Sequence, residues 1–144
     1  MPDRARALTG LGQIERDLGN TAHARELYSQ AVALYRNTAD IQKLAHTIRH
    51  VADMDREAGD LDAAEPAYRE ALALYREQKS TTALDLANTV NGLANLLTMR
   101  GARNEARQLT EEARDLYSSQ AKTPGVDAGV QECSRRLAKL NAAL

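Results

Sequence analysis

Apolar residues recur three and four positions apart along nearly the whole chain, the period of an amphipathic helix. Leu44, Ile48, Val51 and Ala52 form one such stripe, and Val130, Cys133, Leu137 and Leu140 form another. The stripes are interrupted at Gly19, Gly59, Gly101 and Thr123-Pro124-Gly125. This pattern predicts seven helices over 3–18, 22–37, 40–58, 61–78, 82–100, 103–120 and 126–142. Each of the three glycines is expected to end a helix in the left-handed backbone region, which costs little only without a Cβ. The helices that follow open with polar groups suited to free N–H donors: Asn20-Thr21, Asp60 and Asp62, and Asn104-Glu105. Pro66 lies near such a start and is expected to be tolerated there.

The pattern is a repeat. Gly19, Gly59 and Gly101 are spaced 40 and 42 residues apart. At fixed distances after each glycine come Ala24, Ala64 and Ala106; then Tyr28, Tyr68 and Thr110; then Ala31, Ala71 and Ala113. Leu34-Tyr35, Leu74-Tyr75 and Leu116-Tyr117 follow in the same register. Before each glycine stand Leu8, Ile48 and Val90, then Leu11, Val51 and Leu93, then the small Gly12, Ala52 and Ala94. Each unit is therefore two helices about a glycine turn. The last helix keeps the register of the first helices, with Ser134 at the small position, and is expected to cap the final pair. The repeats run over about 5–43, 44–84 and 85–125, with the terminal helix at 126–142, and 1–144 is expected to form one domain.

The residues Leu8-x2-Leu11-Gly12, Gly19, Ala24-x3-Tyr28-x2-Ala31, with Leu93-Ala94, Gly101, Ala106 and Ala113, resemble the tetratricopeptide repeat. The usual unit is shorter than the one here. The longer form is similar to the repeats of kinesin light chains and of bacterial regulatory proteins. The resemblance implies an all-α, right-handed superhelical stack of three antiparallel helix pairs plus a C-terminal capping helix. It implies an adaptor whose concave groove, lined by the first helix of each pair, binds a protein or peptide.

Composition supports a helical chain and removes other classes. The chain has no Trp, no Phe and five Tyr, and 26 of its 144 residues are Ala. Net charge is −1 with no continuous basic stripe, so a nucleic-acid partner is not expected. No apolar run approaches the length of a membrane span, and the N-terminus carries no apolar signal core. A soluble, cytoplasmic protein is expected, and the excess of Arg (15) over Lys (4) suggests a high-GC bacterial source.

On a helical wheel the polar face opposite the buried stripe holds Thr9, Gln13 and Arg16 in the first unit, with Arg6 and Asp17 beside them. In the second unit the groove candidates are Arg49, His50 and Asp53, in the third Asn88, Asn91 and Asn95, and in the last helix Gln131 and Arg135. Amide side chains can satisfy the backbone of an extended ligand, and arginines can pair with its carboxylates. The same residues also suit a solvated helix face. The family's carboxylate clamp needs cations, where this chain has Thr9, Gln13, His50, Asn88 and Gly92, so chaperone-tail binding of that kind is not expected.

His46 and His50 are four apart, with Asp53 one turn on, a spacing that can hold a metal ion and that also arises by chance on helices. His23 reads as a surface residue, and Cys133 as a buried, inert thiol. Asp55 and Glu15 project toward the packing face and are expected to pair with an arginine of a neighbouring helix or to sit at the edge of that face. No phosphate loop, nucleophile elbow or zinc-protease motif is present, so no catalysis and no cofactor are expected. The sequence supports a non-catalytic protein- or peptide-binding module. The alternatives are self-association as a homo-oligomer, docking inside a larger regulatory protein, and a metal module through His46 and His50.

Overall fold

The computed structural model describes residues 2–142. Those residues form seven helices: α1 (Pro2–Asp17), α2 (Thr21–Tyr35), α3 (Ile41–Glu57), α4 (Leu61–Glu77), α5 (Ala83–Arg100), α6 (Arg103–Ser118) and α7 (Pro124–Ala142). The protein is an all-α helical repeat, with no strand among the described residues.

Three turns are built alike. Gly19, Gly59 and Gly101 have φ of +86°, +85° and +80°. Behind each, two backbone N–H groups return to the end of the preceding helix. Gly19 N donates to Arg16 O at 3.0 Å, and Asn20 N donates to Glu15 O at 2.8 Å. Gly59 and Asp60 repeat this onto Arg56 and Asp55, and Gly101 and Ala102 onto Thr98 and Leu97. This double closure satisfies otherwise free carbonyls and requires a left-handed residue at the glycine.

Capping follows the sequence only in part. Asp60 caps α4 by accepting from Ala63 N at 3.2 Å. Asn20 precedes α2 but makes no side-chain capping bond; its Nδ2 donates to Glu15 Oε2 at 2.8 Å. The residue before α6 is Ala102, so Asn104 and Glu105 lie inside its first turn instead of before it. α4 runs unbroken through Pro66. α7 begins at Pro124, where Thr123 Oγ1 accepts from Val126 N at 3.2 Å, so the expected chain break is the helix start itself.

The chain divides into two compact units, residues 1–78 and 79–144. In the first, α1 packs on α2, α2 on α3, and α3 on α4. Ala5, Ala31, Tyr35, Leu44, Ile48 and Ala71 form its core, and Ala24, Tyr28 and Met54 form a second cluster flanked by Val51. Alanines bring helices close together and tyrosines fill the space beside them. In the second unit α5 packs on α6 and α6 on α7. Gly129 sits against the Tyr117 ring, where a Cβ would meet three ring carbons at 2.9 Å.

Two positions differ in burial from their counterparts in the repeat register. Leu11 shares its register with Val51 and Leu93 but is 44% exposed, because no helix covers that side of α1. Ser134, at the register of Gly12, Ala52 and Ala94, is exposed on α7, where none of the described helices packs on that side.

Candidate functional site

In the first unit α1 and α3 border a cleft of about 340 Å³. Arg6, Thr9, Gly10 and Gln13 line it from α1; Lys43, His46, Thr47 and His50 line it from α3; Tyr28 and Tyr35 of α2 close the floor. The spacings 6, 9, 10, 13 and 43, 46, 47, 50 are one helical face each, so two helices present matched polar edges to one cavity.

Hydrogen bonds fix the cleft's walls. Tyr28 OH donates to Gln13 Oε1 at 3.1 Å, tying α2 to α1. The Tyr28 ring stacks on His50, with centroids 5.3 Å apart and planes 14° from parallel. His46 and His50 face each other, Nε2 to Nε2, at 3.1 Å. Burial, with the charges of Arg49, His46 and Arg16 around it, lowers the His50 pKa to about 3, so His50 is neutral at ordinary pH. Its Nδ1 is buried with no hydrogen-bond partner. Among the described residues, the charged side chains lining the cleft are Arg6 and Lys43, both cationic, and no carboxylate lines it.

Of the predicted site residues, Thr9, Gln13, His46 and His50 share this cleft. Arg16 lies on the same pair of helices but bridges them, donating from Nη2 to both carboxylate oxygens of Glu57 at 3.0 and 3.1 Å. Arg49 and Asp53 do not line the cleft. They pair with each other, Arg49 Nη1 to Asp53 Oδ2, at 2.9 Å, and Asp53 Oδ1 also accepts from Tyr68 OH. Both Asp53 oxygens are thus engaged, and the structure does not bring this carboxylate to the His46–His50 pair. Among the described residues no group of three His, Cys, Asp or Glu side chains is placed to hold a metal ion. Sequence reasoning missed Tyr28, Tyr35, Lys43 and Thr47 as lining residues. The tyrosines stand out in the sequence only as repeat positions, and although almost wholly buried they line the cavity. Lys43 sits one turn before Thr47 on the cleft face, a signal the helical wheel could have yielded.

The remaining predicted residues belong to the second unit. Asn88 Oδ1 accepts from Tyr117 OH at 2.6 Å. Asn91 Oδ1 accepts from Cys133 Sγ at 3.6 Å, and Asn91 Nδ2 donates to Glu132 Oε2 at 3.3 Å. These two asparagines therefore tie α5 to its neighbours as structural groups. Asn95 is half-buried, and Gln131 and Arg135 are exposed on α7. Cys133 is buried and its pKa is raised chiefly by desolvation, which disfavours the reactive thiolate.

The pairings expected for the inward acids hold in altered form. Asp55 receives a two-pronged contact from Arg25 of α2, with Nη2 to Oδ2 at 3.0 Å. Glu15 is held by Asn20 and by His23 Nδ1 at 3.2 Å, not by an arginine; His23 is exposed, as expected, and adds this contact.

Tightly turned helix pairs in repeated register, with a polar cleft between successive first helices, define a helical-repeat scaffold. Models of the tetratricopeptide repeat match residues 4–40 and 40–119, and the chain belongs to the tetratricopeptide-repeat family. Repeats of this family are protein-interaction scaffolds. BtubC (BKLC) from P. vanneervenii is similar in structure, with a TM-score of 0.76 and 17% identity over 99% of this chain and 65% of that one. This chain thus spans slightly less than two thirds of BtubC. A putative kinesin light chain of Podosopora anserina with nearly identical TPR-like repeats gives a TM-score of 0.73 at 18% identity, covering 99% of this chain and 76% of that one. PcrH from Pseudomonas aeruginosa gives 0.66 at 17% identity, covering 96% and 92%. At these identities the likeness is one of fold. No curated protein matches the sequence.

Proposed function

We propose that this protein is a non-catalytic adaptor that holds an extended segment of a protein partner in the α1–α3 cleft. The observation that carries the reading is the composition of the cleft wall. It carries hydroxyl, phenol and imidazole groups beside the Gln13 amide, which Tyr28 and Asp17 hold in place, and its charged lining residues are Arg6 and Lys43. Two cations without a lining carboxylate among the described residues favour a segment bearing Asp or Glu. The expected affinity for a short segment is on the order of micromolar.

The test is a selection from displayed random peptides. Enriched sequences should carry acidic residues and should bind the Arg6→Glu, Lys43→Glu variant at least tenfold more weakly. Failure to enrich any peptide, or equal binding to the variant, would overturn the reading. The metal-module alternative draws support only from the facing His46 and His50 imidazoles, within a local field made positive by Arg49 and Arg16.

A further inference from the structure

α1 carries an apolar stripe that nothing in the described structure covers. Leu11 is 44% exposed, Ile14 56% and Leu18 68%. Leu11 and Ile14 lie on one face of α1, and Leu18, in the turn just after it with its N–H on Ile14 O at 3.0 Å, continues that line, away from the cleft residues Thr9 and Gln13. The repeat shows what such a face does elsewhere. Leu11, Ile14 and Glu15 stand at the register of Val51, Met54 and Asp55 in α3. There Met54 is 1% exposed, packed with Ala24 and Tyr28 of α2, and Asp55 is gripped by Arg25 of α2. The covering helix thus reads Ala24-Arg25-x2-Tyr28: a small residue, an arginine and a large aromatic on one face.

We infer that the Leu11–Ile14–Leu18 face docks a helix of a separate protein partner with that chemistry: a small residue, then an arginine, then a large apolar side chain three positions on. Charge complementarity selects the arginine. Glu15 holds the place of Asp55, both of whose oxygens Arg25 grips, and the Asn20 and His23 contacts of Glu15 both fall on its Oε2. A second copy of this chain is the poorer fit. The corresponding faces of α2, α4 and α6 are already buried through Ala24 and Tyr28, Ala64 and Tyr68, and Ala106 and Thr110, so an intact copy has no such helix to offer. The stripe is small against a stable interface, so the affinity should be on the order of tens of micromolar.

The probe is a peptide with the sequence of residues 20–37, with Gln30→Lys and a lactam between the exposed positions 26 and 30 to hold it helical. Binding to the full chain is read by fluorescence anisotropy. The probe is expected to bind and to lose at least tenfold in affinity for the Ile14→Asp, Leu18→Asp variant, whose helicity is checked by circular dichroism. Reversing Arg25→Glu in the probe should weaken it several-fold, and Glu15→Arg in the chain should restore it. No binding, or binding indifferent to Ile14 and Leu18, overturns the inference. So does concentration-dependent dimerisation of the chain alone that the same variant abolishes, because that assigns the face to a second copy.

Discussion

Arg136 of α7 is 7% exposed and donates from Nη1 to Thr110 Oγ1 of α6 at 3.3 Å, at the register where the first unit packs Met54 against Tyr28. The third repeat has exchanged its tyrosine for a short threonine, and a long guanidinium side chain takes up the room. Thr110 still donates to Ala106 O at 2.6 Å, and Arg136 Nη2 donates to Glu132 Oε1 at 2.8 Å. The buried charge is thereby bonded to two partners. Arg136→Ala should destabilise the protein by about 2–4 kcal/mol, the range for truncating a long buried side chain. Arg136→Met, which restores the residue type of the first unit, should cost under about 1.5 kcal/mol. Urea unfolding of the two variants measures the difference.

Three glycine substitutions should separate by sign. Gly59→Ala places a Cβ at φ +85° and should cost about 1–2 kcal/mol. Gly129→Ala drives a methyl to 2.9 Å from the Tyr117 ring and should cost about 1–3 kcal/mol, because a ring packed by its neighbours moves poorly. Gly10→Ala meets nothing within 4 Å inside α1 and should gain about 0.5–1 kcal/mol from helix propensity. Thermal unfolding of all three against wild type tests the ordering.

The Arg25–Asp55 pair sets a nearly buried carboxylate against a half-exposed guanidinium. Asp55→Ala should cost about 1–3 kcal/mol, less than a fully buried pair because Arg25 can turn to water. The double replacement Arg25→Met, Asp55→Leu should recover most of that loss, since the chain itself has leucine at this register in Leu97 and Leu137. In the second unit, where Leu137 stands at the place of Asp55, Arg107 Nε and Nη2 are buried without a hydrogen-bond partner. A double-mutant cycle in urea measures the coupling.

His50 makes stability depend on pH in a defined direction. Its folded pKa of about 3 lies below the ordinary 6.5, so between these values the unfolded chain binds the proton and the folded chain does not. The contribution is fully present above about pH 6.5 and is lost as pH falls toward 3. Unfolding midpoints of wild type should therefore drop more steeply from pH 7 to pH 5 than those of His50→Gln. Parallel curves would show that His50 does not titrate in this way.

The helices, the glycine turns and the repeat register were legible because each rests on local chemistry: period, positive φ and small residues at close approaches. The site was legible only by face. Thr9, Gln13, His46 and His50 emerge into one cleft, whereas Arg49, Asp53, Asn88 and Asn91 lie on comparable faces and are consumed by neighbours. A helical wheel gives direction, not the length or identity of what comes from the adjoining helix. It could not show that Tyr68 reaches Asp53 or that Tyr117 reaches Asn88. Arg136 escaped notice for the same reason, since its burial depends on what Thr110 lacks. Leu11 and Ser134 differ in burial from their counterparts because register reports the partner a position has in the other repeats, and here that partner is not in the described chain.

The most direct test of the adaptor reading is a backbone-amide NMR titration with an acidic peptide taken from the display selection. The account predicts shifts concentrated at Thr9, Gly10, Gln13, Lys43, His46, Thr47 and His50, and their loss in the Arg6→Glu, Lys43→Glu variant. Shifts confined to other surfaces, or unchanged in the variant, would contradict it.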